Sequence, residues 1–110
     1  MMIDETMQMP AEQGIIPDSW VIIEVNYEGK QFQKILSGWS GSYLYGDSWR
    51  LSSQIKEMNI DVYSDKIVVY TESGSWYNLY KSHQGLRMSN AGIYNELKKK
   101  YGDNVEIVEL

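Results

Sequence analysis

Between Trp20 and Tyr27 the side chains alternate, with Val21, Ile23, Val25 and Tyr27 on one side of an extended chain and Ile22, Glu24 and Asn26 on the other. A period of two belongs to a strand with one buried face; a helix would scatter those four residues around its circumference. Glu28-Gly29 follows, and its glycine takes positive φ readily, so Lys30 to Leu36 is expected to return as the second strand of a hairpin. Ile35 and Leu36 are adjacent apolar residues that break the alternation, which predicts a bulge.

Similar punctuation recurs downstream. Trp49-Arg50-Leu51 reads as a short strand, and Ile55 to Tyr63 alternates imperfectly. Ser64-Asp65 reads as a tight turn into Lys66 to Thr71, Ser73-Gly74 as another, and Trp76 to Tyr80 as the third strand of a meander that His83-Gln84-Gly85 ends. From Asn90 the period changes. Ile93, Tyr94, Leu97 and Tyr101 fall on one face of a helix, Lys98, Lys99 and Lys100 suit the negative end of its dipole, and Gly102 suits its C-terminal cap. Ser89 or Asn90 is the expected N-cap, and Val105 to Leu110 adds a weak last strand. The expected fold is therefore α+β: an antiparallel sheet of about five or six strands with one C-terminal helix packed on one face through Ile93, Leu97 and Tyr101. Residues 1–19, with four of the six methionines, both prolines and no periodicity, are expected to form a flexible N-terminal arm, and residues 20–110 a single domain.

Composition narrows the function classes. A chain of 110 residues has material for one core, and 43% hydrophobic with 23% charged residues is an ordinary globular balance. It has no cysteine, which removes disulfides, thiolate nucleophiles and Cys-ligated metals. The net charge of −5 argues against direct nucleic-acid binding, whose affinity comes from cations neutralising phosphates. The run Val21-Ile22-Ile23 is far short of a membrane span, and Met1 to Pro10 lacks the zones of a signal peptide, so a cytoplasmic setting without membrane association is expected.

No catalytic constellation stands out. His83 is the only histidine and sits beside Ser82 in a turn, but no G-x-S-x-G elbow accompanies it, and a lone turn histidine is ordinarily a solvated one. The carboxylate pairs Asp61 with Asp65 and Glu106 with Glu109 read as solvated edges. No metal is expected, since one histidine and no D-x-D-x-D-G spacing leave no ligand set, and no cofactor is implied.

The specific signal is aromatic. Ser37 to Leu51 sets Trp39, Tyr43, Tyr45 and Trp49 among glycines and serines, a composition that recurs at contact surfaces because rigid rings supply area at low entropic cost. About half of the fourteen rings must serve the core, drawn from Trp20, Phe32, Trp49, Tyr63, Tyr70 and Tyr94 among others. Trp39, Tyr43 and Tyr45, with Arg50 and with Trp76 and Tyr77 after Ser73-Gly74-Ser75, are the candidate partner-binding residues. The same rings and Arg50 also suit a stacked nucleotide or another small ligand, and a homodimer through the rings is a third use of the same surface.

Tyr45-Gly46-Asp47-Ser48-Trp49-Arg50-Leu51-Ser52-Ser53 and Ser73-Gly74-Ser75-Trp76-Tyr77 resemble a group of small uncharacterised proteins of tailed bacteriophages with Gly-Asp-Ser-Trp-Arg-Leu-Asn-Ser-Gly and Ser-Gly-Ser-Val-Tyr. The resemblance covers about residues 38–95 and departs at Ser52-Ser53-Gln54. It carries no established activity. It implies a context, in which a small acidic phage protein without catalytic groups acts as an inhibitor of a bacterial host protein or defence complex.

Overall fold

The computed structural model describes residues 14–42 and 46–110, the side chains of residues 41, 42 and 46 excepted. The alternating segment forms β1 (Ser19–Tyr27), which pairs antiparallel with β2 (Lys30–Ser42) through a tight turn. Glu28 and Gly29 both have positive φ, 51° and 78°, the arrangement that matches the twist of a two-residue hairpin. β3 (Gly46–Leu51) pairs with the far edge of β2, and β7 (Val105–Val108) pairs with β1, giving a four-stranded sheet in the order β3-β2-β1-β7. β4 (Ile55–Ile60), β5 (Lys66–Thr71) and β6 (Trp76–Tyr80) form a separate three-stranded antiparallel meander. The helix α1 (Met88–Tyr101) lies on the other side of the four-stranded sheet.

The fold is thus α+β and antiparallel, with one C-terminal helix, but it holds two sheets where one was expected. Ser52 marks the division. Its amide donates to the Ile35 carbonyl at 2.9 Å and its hydroxyl accepts from the Ile35 amide at 2.8 Å, closing the ladder of the first sheet just before β4 opens the second. The four-stranded sheet becomes the middle of three layers and is buried on both faces. Ile22, expected to point outward with Glu24, is fully buried beside Trp20 and Ile35 against Ile67, Val69, Tyr77 and Leu79 of the second sheet. Val21, Ile23, Leu36 and Val105 are buried on the opposite face, against Leu86, Ile93, Tyr94 and Leu97.

Ile35 and Leu36 therefore need no bulge. They pair in unbroken register with Ile22 and Val21 and serve the two faces in turn. The irregularity lies further along β2, between Trp39 and Ser42. β4 ends at Ile60, three residues before the expected limit.

The helix begins earlier than expected. Arg87 is its N-cap and Asn90 its third residue, where the Asn90 side chain accepts from the Arg87 amide at 2.8 Å. Gly102, with φ of 59°, is the C-cap. Ile93 and Leu97 pack toward the sheet as expected, whereas Tyr101 remains 39% exposed. Gly38 lets the helix approach β2: an added Cβ would stand within 3.1 Å of the Ser89 Cβ and overlap its hydroxyl.

The boundary expected at Trp20 also moves. Ile15 pairs parallel with Tyr77 at the edge of the second sheet, Pro17 is buried, and the Asp18 amide donates to the Gly38 carbonyl at 3.0 Å. Residues 14–18 are part of the packed body; the remainder of the expected arm, residues 1–13, lies outside the described residues.

Candidate functional site

Of the candidate binding residues, Trp39 and Arg50 fall at one end of the space between the two sheets, and Trp76 falls on the outer face of the second sheet. Side chains alternate along β2 and β3, so Ser37, Trp39 and Arg50 share the face of the first sheet that looks toward the second. Arg50 is exposed, pairs across the ladder with Ser37, and its Nη2 reaches the Ser75 hydroxyl at 3.4 Å, just before β6 begins. Trp39 is half-buried, and its indole N–H donates to the Ile16 carbonyl at 2.9 Å. Trp76 is half-buried, with its ring 6.1 Å from Tyr70 in a near-parallel stack. Gly14, at φ of 64°, is the close neighbour of Trp76: an added Cβ there would stand 3.0 Å from the ring.

Tyr77 departs from the expected surface role. It is fully buried in the core, because period two on β6 turns Tyr77 and Leu79 inward while Trp76 and Tyr80 turn outward. Burial raises the pKa of its hydroxyl above the ordinary phenol value, and the Arg50 guanidinium opposes that rise in part. The Tyr77 and Ser37 hydroxyls are both buried without a well-aligned hydrogen-bond partner among the described residues. Tyr43 and Tyr45 lie outside the described residues.

The other ring assignments divide. Trp20 and Tyr94 serve the core, while Trp49 is 50% exposed, Tyr63 96% and Tyr70 41%. Trp49, expected among the core candidates, is instead an exposed ring. It stands on the outer strand β3, where Asp47, Ser48, Trp49 and Arg50 are all exposed. The available signal was local: within Gly-Asp-Ser-Trp-Arg-Leu no second apolar residue sits two positions from Trp49 on its N-terminal side, so nothing there extends a buried face.

His83 is exposed on the 3-10 turn Lys81–His83, with its ring 5.9 Å from Tyr80 and tilted. The neighbouring Ser82 hydroxyl donates to Asp65 at 2.6 Å, so the acceptor at that serine is a carboxylate rather than the imidazole. That bond, with the Ser82 amide, holds the Asp65 carboxyl below the usual carboxylate range. Among the described residues no group of three acidic or histidine side chains is arranged to hold a metal ion, and no helix is long and apolar enough to cross a membrane.

A second concavity lies beside α1, on the opposite face of the four-stranded sheet. It has a volume of about 290 Å³ and is walled by Val25, Tyr27, Phe32, Leu51, Leu97 and Tyr101, among others, with Lys34 as its charged member. No sequence motif marks it, since its members come from β1, β2, β3, β7 and the helix and meet only through the sheet order. No family model matches the chain, and no curated protein or solved structure shows significant similarity to it.

Proposed function

We propose that the chain is a non-enzymatic binding module that engages a bacterial protein or complex, in the manner of a phage-encoded inhibitor, through the β3 end of the molecule. The observation that carries this reading is Trp49, a large ring 50% exposed on an outer strand next to exposed Arg50. Trp and Arg are the side chains that most often anchor interfaces, and an outer strand also offers unpaired backbone groups to a partner. Trp39, on the face of Arg50, and Trp76, on the outer face of the second sheet, extend the contact surface around the β3 edge from the side opposite Trp49. Their rings are fastened to residues 14–16, which favours a preorganised surface over a mobile loop.

Affinity capture from a bacterial lysate tests the reading when wild type is run beside Trp49→Ala and Arg50→Ala. The expected result is a stoichiometric protein partner that wild type retains and both variants lose, with their melting curves little changed. Retention of that partner by both variants overturns the assignment of the surface.

A nucleotide or similar small anion is the second reading. It is favoured by the Ser37 hydroxyl, buried without a partner among the described residues on the face of Arg50, and by the Tyr77 hydroxyl that the Arg50 guanidinium adjoins. A nucleotide released when the purified protein is denatured, in place of a protein partner, supports it. The homodimer variant predicts a doubled mass on sizing at micromolar concentration.

A further inference from the structure

At the tip of the β1–β2 hairpin, the side facing the three-stranded sheet is polar, with Glu24, Asn26, Gln31 and Gln33, and the two glutamines reach Glu24 at 3.4 and 3.5 Å. The opposite side of the same residues is apolar. Val25, Tyr27 and Phe32 continue past the last turns of α1 and, with Leu51, Leu97 and Tyr101, wall the open groove. Tyr27 is 59% exposed there. A chain that places polar residues where one face runs out of cover, and rings where the other does, leaves an apolar recess of the kind that ligands fill.

The charge around this recess runs against that of the whole molecule. The chain carries 15 acidic and 10 basic residues, yet among the described residues no carboxylate lines the groove. Lys34 lines it, Lys30 shares its face of β2 by alternation, and Lys100 at the end of the helix holds its ammonium 5.4 Å from the Tyr101 ring centre. The occupant therefore combines an apolar body with a negative head. The volume of about 290 Å³ suits a small molecule, being close to the roughly 300 Å³ at which ordinary small-ligand sites begin.

We propose that the groove between α1 and the β1–β2 hairpin binds a single-chain anionic amphiphile, an alkyl carboxylate, with its chain along Phe32, Leu51 and Leu97 and its head at Lys34. Trp49 shares the helix-side face of β3 with Leu51 but does not line the groove, and Lys34 is on the face opposite Arg50, so the Lys34 variants test the groove without altering the residues of the inhibitor reading.

The probes are decanoate and decyltrimethylammonium, titrated below their micellar concentrations into isotopically labelled full-length protein and followed by amide chemical shifts. Decanoate should give saturable shifts centred on Tyr27, Phe32, Lys34, Leu97 and Tyr101. It should bind about tenfold tighter than the cationic probe, the scale of one or two partly exposed charge contacts. Lys34→Glu should abolish that preference and Lys34→Arg should keep it, with the unliganded spectra confirming the fold of both. Equal affinity for the two head charges overturns the proposal, as do shifts scattered over the surface or no binding by folded protein. So does a case in which only a Glu/Leu amphipathic peptide shifts these amides, which would make the groove a protein contact.

Discussion

The two faces of the four-stranded sheet are built from the same strands and end differently. Toward the second sheet, Trp20, Ile22 and Ile35 meet Ile67, Val69, Tyr77 and Leu79 and all are fully buried, with Ile15, Ile55, Met58 and Val108 partly covered at the margin. Toward the helix, Val21, Ile23, Leu36 and Val105 are buried, but Val25, Leu51, Leu97 and Ile107 are only partly covered. Geometry accounts for the difference. Four strands spaced about 4.8 Å apart present a face roughly 14 to 19 Å wide, most of which the three-stranded sheet, roughly 10 to 14 Å wide on the same spacing, covers along its length. One helix is about 10 to 12 Å across, and the 14 residues of α1 reach about 21 Å along strands of roughly 30 Å. A single helix therefore seals a stripe and leaves a flank, and here the flank is apolar.

The sharpest way to break this comparison is to remove the largest ring from the sealed side. Trp20→Ala deletes a fully buried indole whose N–H also donates to the Tyr80 carbonyl at 2.9 Å. It should cost about 3 to 5 kcal/mol, a large share of a typical domain's 5 to 15 kcal/mol. Denaturant unfolding reads this directly, and a loss within error would mean that the sheets are not tightly packed.

Gly38→Ala probes the helix side where it is closest. The added methyl meets Ser89 and should cost about 1 to 3 kcal/mol through displacement of the helix N-terminus. Pairing it with Ser89→Ala should recover part of the loss on thermal melting. Additive losses would place the strain elsewhere.

Tyr77 sharpens the comparison through pH. Burial raises its pKa, so the folded state keeps the proton longer than the unfolded chain does. The resulting stability is complete below the unfolded tyrosine value of about 10 and declines as pH rises beyond it. Melts of wild type and Tyr77→Phe across the alkaline range should show a shallower decline in the variant.

Asp65 gives the smallest effect, at an exposed turn remote from both faces. Its pKa is lowered chiefly by the Ser82 hydroxyl, so its contribution is present above about pH 4 and lost as pH falls through the lowered value. Asp65→Asn should lower the melting temperature slightly at neutral pH and leave it unchanged in strong acid.

Local chemistry was legible wherever it was decided locally. The hairpin at Glu28-Gly29, the strands Lys66–Thr71 and Trp76–Tyr80, and the helix ending at Gly102 follow from short-range pattern and turn residues. What escaped depends on partners distant in sequence. Ile22 reads as outward-facing and Ile35-Leu36 as a bulge because the covering second sheet leaves no local mark, and Tyr77 reads as a surface ring because Ser73-Gly74-Ser75 suggests a loop. Trp49 was legible as a ring in polar company, but its exposure follows from β3 standing at the edge of the sheet. The groove was least legible, since no two neighbouring residues announce it.

The most direct test of the asymmetry compares two residues of one strand. Ile35 and Phe32 lie three apart on β2 and face opposite layers, Ile35 toward the sealed core and Phe32 into the groove. Equilibrium urea unfolding of Ile35→Ala should show a loss of about 2 to 5 kcal/mol, whereas Phe32→Ala, although it removes the larger side chain, should lose less than about 1.5 kcal/mol. A loss for Phe32→Ala equal to or greater than that for Ile35→Ala would contradict the account, because the helix face would then be as closed as the other.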